Sequence, residues 1–291
     1  MTQAQSVFAD APAVGPRRLV QRLHAARGEP RFSICTLVTK PDQYRDCLDS
    51  YRRGGFDEAS SEVLILDNTN GNTADAYVAI NEFLQVAQGE YIILTHQDIL
   101  LMEDGRPDLE ERLAELTRFD PHWALCGNAG RTSADKPVQH LSHPVSDHDV
   151  RGGPFPAAVV SLDENFIVAR RSANLALSRD LTGFHHYGAD LCIIADVLGW
   201  NAYVIAFMLR HQSGGTVDES YLKSGAAITG KYARALRPRW INLVTERPVY
   251  ISGSRVATLR ARTVRWFRDR FRHARAIGGA WRRRLTDNDG R

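Results

Sequence analysis

The chain has 291 residues, 24% of them charged and 43% hydrophobic, with a formal net charge of +3. That mixture belongs to a globular protein of one large or two small domains and excludes a disordered chain. No apolar run reaches the roughly 20 residues that span a bilayer. The start, MTQAQSVFADAPAVGPRR, lacks the basic opening and apolar core of a signal peptide, so a cytoplasmic protein is expected. Cys35, Cys47, Cys126 and Cys192 form no CxxC pair, which argues against zinc or redox roles and leaves buried, reduced thiols.

Pro12, Pro16 and Pro30 break residues 1–30 into an extension without a long element. FSICTLVT (32–39) reads as the first strand, Asp42–Arg53 as a helix and EVLILD (62–67) as a second buried strand. The turn chemistry of NTNGN (68–72) leads into a helix over 74–88, which Gly89 ends. The third strand, from YIILTHQDILL (91–101), runs into His96. A helix over Asp108–Phe119 and strands near 123–126 and 157–162 follow. The polar, glycine-rich stretch between those two strands, carrying His140, His143 and His148, reads as a long loop. Its histidines are too loosely spaced for a zinc site. NFIVARR (165–171) is another strand, 188–199 a helix and AYVIAF (202–207) the last strand.

Strand–helix–strand–helix–strand with continuously apolar strands predicts an α/β fold with a mostly parallel sheet and helices on both faces. Right-handed crossovers then gather the strand C-termini at one edge. Residues 36–39, Asp67-Asn68 and His96–Asp98 meet there. The turn after the first strand, VTKPDQY, has no glycine, which argues against a dinucleotide-binding or P-loop site. Asp67 suits a ribose or base edge through its acceptor-only carboxylate. Asp98 suits a hard cation.

FSICTLVTKPDQYRDCLDS, EVLILDNTNG, GEYIILTHQDILL, LDENFIVARRS, HHYGADLCIIADVLGWNAYVI and RHQSGG, in that order over about 32–215, resemble the family 2-like glycosyltransferases of the GT-A fold. The resemblance implies a transferase that moves a sugar from a nucleotide-diphosphate sugar to an acceptor hydroxyl, metal-dependent and inverting. It implies donor-binding roles for Thr36, Val38, Asp67, Asn68 and Gln97, with UDP the more frequent base in the family. The family's third strand ends in Asp-x-Asp; here His96-Gln97-Asp98 keeps the last acid as a metal ligand and replaces the first. His211 matches the later metal-binding histidine, and one carboxylate with one imidazole suits Mg²⁺ or Mn²⁺. Asp190 is the carboxylate matching the catalytic base. The family's usual Glu-Asp pair falls on Tyr187-Gly188, so Asp163 and Glu164, on the acceptor side in relatives, compete with it. Of Arg170 and Arg171, which point oppositely on a strand, at most one faces the site. Asp196 does not share the face of Asp190. The product class implied is a bacterial surface polysaccharide or glycolipid. Two alternatives stand beside this reading. One is a degenerate transferase acting as a scaffold, which the altered HQD favours. The other is a sugar-1-phosphate nucleotidyltransferase, which wants a glycine- and arginine-rich loop that this chain lacks.

Eleven arginines and a single acid, Asp269, lie between Arg255 and Arg284. Wound as a helix, residues 256–281 put Leu259, Trp266, Phe267, Phe271, Ile277 and Trp281 within an arc of roughly 140°. Arg265, Arg268, Arg272 and Arg275 fall opposite, and Arg270 can snorkel from the apolar face. Such a tail suits the inner, anionic face of a membrane, or packing on the body or a second subunit; nucleic acid is not an expected partner. The expected organisation is an extension (1–30), a transferase domain (31–250) and a basic tail (251–291).

Overall fold

The computed structural model describes residues 19–143, 146–213, 217–241, 248–268 and 270–271. The chain forms two compact units, 1–228 and 229–291, so the division falls 22 residues before the boundary expected at 250. In chain order the first unit has β1 (Val20–His24), β2 (Phe32–Val38), α1 (Pro41–Arg53), β3 (Ser61–Asp67), α2 (Ala76–Val86) and β4 (Tyr91–Thr95). Next come β5 (Ile99–Leu101), α3 (Arg106–Phe119), β6 (Trp123–Gly127), β7 (Ala129–Arg131), β8 (Pro137–His143) and β9 (Ser146–Arg151). The unit continues with β10 (Ala157–Val159), β11 (Ser161–Leu162), β12 (Phe166–Arg170), α4 (Tyr187–Val197), β13 (Asn201–Val204) and β14 (Leu209–His211). The helix α5 (Glu219–Ala235) contains the division.

The fold is α/β, built on an eight-stranded sheet in the order β1-β3-β2-β4-β12-β6-β13-β10. Pairing is parallel across β3-β2-β4 and between β6 and β13. β12 runs antiparallel between β4 and β6, because it is entered from a short turn at 163–165 and not through a crossover helix. β2 and β4 are buried along almost their whole length, as strands covered on both faces are. On one face Phe32, Ile34, Tyr91, Ile93, Phe166 and Val168 share a core with Tyr51 of α1 and with Leu109, Leu113 and Leu116 of α3. Alternation turns Cys35 and Leu94 to the other face, where they share a wall with Ala79, Ile80 and Phe83 of α2. α4 packs on β6, β11 and β13.

Residues 20–24, inside the expected extension, belong to the sheet as its edge strand, antiparallel to β3. The buried Glu62 carboxylate fastens that edge: Arg22 Nε lies 2.8 Å from Oε2, and Ser33 Oγ and Gln88 N donate to Oε1. The stretch read as a long loop also folds. β7, β8 and β9 belong to a second sheet ordered β11-β7-β8-β14-β5, with β9 also paired to β8. A Cβ on Gly130 would lie 2.5 Å from Ser161 O, so only glycine allows β7 to come that close to β11. All four cysteines are buried and unpaired, and burial pushes the Cys47 thiol up to about 12.

The second unit, taken by itself, contains the hairpin of β15 (Arg239–Ile241) and β16 (Val249–Ile251), with Trp240 opposite Tyr250. Residues 255–268 are helical. Leu259, Trp266, Phe267 and Phe271 are exposed, and Arg270 lies over the Trp266 ring at 5.0 Å. Arg272, Arg275, Ile277 and Trp281 of the expected amphipathic helix lie outside the described residues. Among the described residues no helix is long and apolar enough to cross a membrane.

Candidate functional site

The third strand of the sequence reading, β4, ends at Thr95, and His96 N still donates to Asn165 O as the ladder runs out. The chain then turns through His96–Asp98 into β5, which pairs antiparallel with β14 so that His211 stands opposite Ile99. This register brings Asp98 and His211 together. Asp98 Oδ1 lies 3.4 Å from His211 Nε2, and Oδ2 accepts from Ser213 Oγ at 2.5 Å. Burial pushes the Asp98 pKa upward, but the hydrogen bonds from His211 and Ser213 outweigh it and hold the carboxyl well below the usual range. Asp98 is therefore a permanent anion. His96 joins the pair: its ring centroid is 5.8 Å from that of His211. One ligand atom from each of His96, Asp98 and His211 lies within 4.8 Å of the other two. Burial, and then the neighbouring His211, lower the His96 pKa and favour its neutral ring.

The three residues open on a cleft of about 1030 Å³. One side carries Thr39, Lys40, Gln43 and Asn72, from the segments after β2 and β3; the other carries Asp163, Glu164, His185 and His186. Burial raises Glu164 to about 7, helped by the Asp163 charge and opposed by backbone N–H groups at Gly188 and His186. A carboxyl of that pKa is half ionised near neutrality, as a general base requires. Tyr187 links the two groups. Its hydroxyl lies 2.9 Å from His96 Nε2 and 3.0 Å from Glu164 O.

Of the residues singled out in the sequence, Asp98, His211, Asp163, Glu164 and Gln97 line the cleft, together with His96. Gln97 is there as a brace. Its Oε1 accepts from Thr39 N and Lys40 N, and its Nε2 donates to Thr39 Oγ1. Asn68 is buried, bonding to Thr73 N, Ala74 N and Ala74 O, and so shapes the turn before α2. Thr36 and Val38 are buried within β2. Asp67 is half-buried at the end of β3, where Thr69 Oγ1 and N both donate to Oδ1 and lower its pKa. Those four residues lie off the cleft wall.

Asp190 departs furthest from expectation. It is fully buried; Ser178 N donates to Oδ2 and Ser178 Oγ to Oδ1. It lies in the first turn of α4 and off the cleft wall. Neither arginine of the pair reaches the cleft. Arg170 stacks on Trp123 at 4.4 Å and donates to Pro121 O and Thr117 Oγ1, while Arg171 donates to Gly89 O. Asp196 is exposed further along α4. The His140 ring packs edge-on against Phe155 at 5.3 Å; the side chains of His143 and His148 lie outside the described set. Sequence reasoning missed Ser213 and Tyr187. Ser213 lies in the bend just beyond β14, where strand alternation no longer tells which way a side chain points.

No protein-family model matches the chain. It is 36% identical over 222 residues to the protein named ATP synthase subunits region ORF 6 of Fuscovulum blasticum, covering 74% of this chain and 89% of that one. The chain belongs to the ORF 6 family. That name states a gene position and no activity. Among solved structures the ORF 6-like chain is similar to TarS 1-349 of S. aureus in complex with UDP-GlcNAc, at 12% identity over 70% of this chain and 66% of that one, TM-score 0.45. It is likewise similar to the mannosyltransferase PcManGT of Pyrobaculum calidifontis in complex with GDP-Man and Mn²⁺, at 12% identity over 75% and 68%, TM-score 0.45. A197 from STIV is similar at 12% identity over 77% and 95%, TM-score 0.39. Scores below 0.5 mark loose likeness, and the functional reading rests on the geometry of the cleft.

Proposed function

We propose that this chain is a glycosyltransferase that moves a sugar from a nucleoside-diphosphate sugar to an acceptor hydroxyl. The observation that supports the reading is a His96–Asp98–His211 cluster with the spacing to hold a cation, sharing one cleft with the buried Glu164 carboxyl of pKa about 7. Asp98 and His211 fit a divalent cation, one ionised carboxylate and one imidazole side by side. Bound there, Mn²⁺ or Mg²⁺ neutralises charge on the diphosphate of the donor.

Glu164 is the general base, in place of Asp190. Its carboxylate takes the proton of the acceptor hydroxyl as that oxygen bonds to the anomeric carbon. The bond from the anomeric carbon to the diphosphate oxygen breaks, and the nucleoside diphosphate departs with the electron pair. Attack opposite the leaving group inverts the anomeric centre. Lys40, at the mouth of the donor side, offers a second positive charge to the phosphates. The basic tail, with its exposed Leu259, Trp266 and Phe271, suits an anionic membrane surface and hence a lipid-anchored saccharide acceptor.

A scaffold subunit has no use for this juxtaposition, and a nucleotidyltransferase lacks its phosphate loop in the glycine-free segment after β2. The test is release of nucleoside diphosphate from a panel of UDP- and GDP-sugars in the presence of Mn²⁺. Turnover of one donor that is lost in Glu164→Gln supports the reading; no turnover of any donor, with a saccharide acceptor supplied, opposes it.

A further inference from the structure

The hydrogen bonds around Tyr187 assign the proton on His96. A backbone carbonyl only accepts, so the single phenolic proton of Tyr187 goes to Glu164 O at 3.0 Å. Toward His96 the phenol oxygen is then an acceptor, and His96 Nε2, 2.9 Å away, carries the hydrogen. A neutral imidazole protonated at Nε2 has its lone pair on Nδ1. The ring is held by its Nε2–H in the way that metal-bound histidines are held by their outer partners.

The spacing agrees. Atoms bound about 2.0–2.2 Å from one ion stand at most about 4.4 Å apart. One ring nitrogen of each histidine and one carboxylate oxygen of Asp98 already lie within 4.8 Å of one another. Small side-chain rotations close the difference. Asp98 is fixed on its other side by Ser213 Oγ, so the group is ordered without the ion.

We propose that His96 is a third protein ligand of this cation site, making it a two-imidazole, one-carboxylate set that selects transition-metal ions over Mg²⁺, with Tyr187 as the residue that orients His96. The inference rests on the reading of Asp98 and His211 as cation ligands. Imidazole nitrogen suits Zn²⁺ and Co²⁺ best and Mn²⁺ less, whereas Mg²⁺ prefers oxygen and gives up its waters reluctantly. The histidine at the first position of HQD is then a change of metal preference and not a lost ligand. The ion taken is a divalent transition metal, completed by oxygens of water or of the donor diphosphate.

The experiment is calorimetric titration of the full-length protein with Co²⁺ and with Mg²⁺, without nucleotide. Co²⁺ should bind at least about a hundredfold more tightly than Mg²⁺. His96→Asn should weaken Co²⁺ more than tenfold and move Mg²⁺ little, and His96→Asp should narrow the ratio between the two ions. Tyr187→Phe, which keeps the ring and loses the hydroxyl, should weaken Co²⁺ about tenfold, the lower end for losing an outer partner. Pulsed electron paramagnetic resonance of the wild type loaded with Mn²⁺ needs no variant, and should count two imidazole nitrogens. One nitrogen, or Co²⁺ affinity unchanged in both His96 variants while Asp98→Asn abolishes it, overturns the role of His96 and leaves the Asp98–His211 reading standing. If the wild type binds neither ion, with or without nucleoside diphosphate, both readings fall.

Discussion

Gly188 N lies 3.4 Å from Glu164 Oε1, which sets a carboxyl from the turn before β12 at the first turn of α4. A side chain at 188 is excluded, since a Cβ there would stand 2.3 Å from Leu162 O. On the proposed reading, this loop carboxyl takes the part that the glycosyltransferase resemblance gives to an acid on the helix. Glu164→Gln should therefore lower kcat by roughly a hundredfold or more with donor affinity little changed. Loss of less than tenfold would place the base elsewhere.

The same residue sets the pH dependence. Glu164 acts as base only when ionised, so kcat/KM should rise through about pH 7 and level off above it. The raised pKa has a second consequence with the opposite sign. Between about 4.5 and about 7 the folded protein holds a proton that the unfolded chain releases, so the contribution of this group to stability falls as pH rises. Thermal melts should show a shallower decline over that window in Glu164→Gln than in the wild type. Equal slopes in the two proteins would contradict the assignment of the shifted group.

Asp190→Asn should behave as a stability variant. Ser178 N and Oγ both donate to this buried carboxylate, and weakening such a pair costs about 1–3 kcal/mol. A lower melting temperature with kcat within a few-fold of wild type is the expected result. A hundredfold loss of kcat at unchanged melting temperature would return the catalytic role to Asp190.

That contrast marks where the sequence could be read. β2, β3 and β4 are continuous apolar runs, and their crossovers oblige Asp98 to lie at the edge where the parallel strands end. His211 came from the resemblance alone, and the structure brings it to Asp98 by pairing its strand with β5. Asp190 and Glu164 could not be ranked, because an acid in a first helical turn looks the same in sequence whether it faces the cleft or the core. Gly188 was the available clue, since a helix that meets the Leu162 carbonyl this closely admits no acid at that position. VQRLH of β1 shows the three-residue exposed middle of an edge strand, and so lacked the apolar signal that identified the central strands. β7 is short and carries a glycine, β8 and β9 are polar, and β7 and β8 also pair with the distant β11 and β14, so the stretch lacks the apolar signal of a strand.

The tail can be separated from the chemistry. Leu259 is 69% exposed and Phe271 68%, with arginines interleaved. The full-length protein should co-sediment with anionic vesicles at low salt and release sharply as salt rises, each basic residue contributing about 1 kcal/mol. Removal of residues 255–291 should abolish sedimentation and spare turnover of a soluble acceptor. Failure to sediment at low salt, or loss of folding on truncation, would point to packing of the apolar side chains within the protein.

The central claim is that Asp98 anchors a cation beneath a nucleoside diphosphate, and calorimetry with UDP and GDP, with and without Mn²⁺, tests it most directly. The wild type should bind one of the two nucleotides at least tenfold more tightly with Mn²⁺ present. In Asp98→Asn, which keeps the shape of the side chain and removes its charge, that Mn²⁺ enhancement should vanish while the melting profile stays cooperative. Nucleotide binding of equal strength with and without Mn²⁺, an enhancement retained in Asp98→Asn, or no binding of either nucleotide would contradict the account.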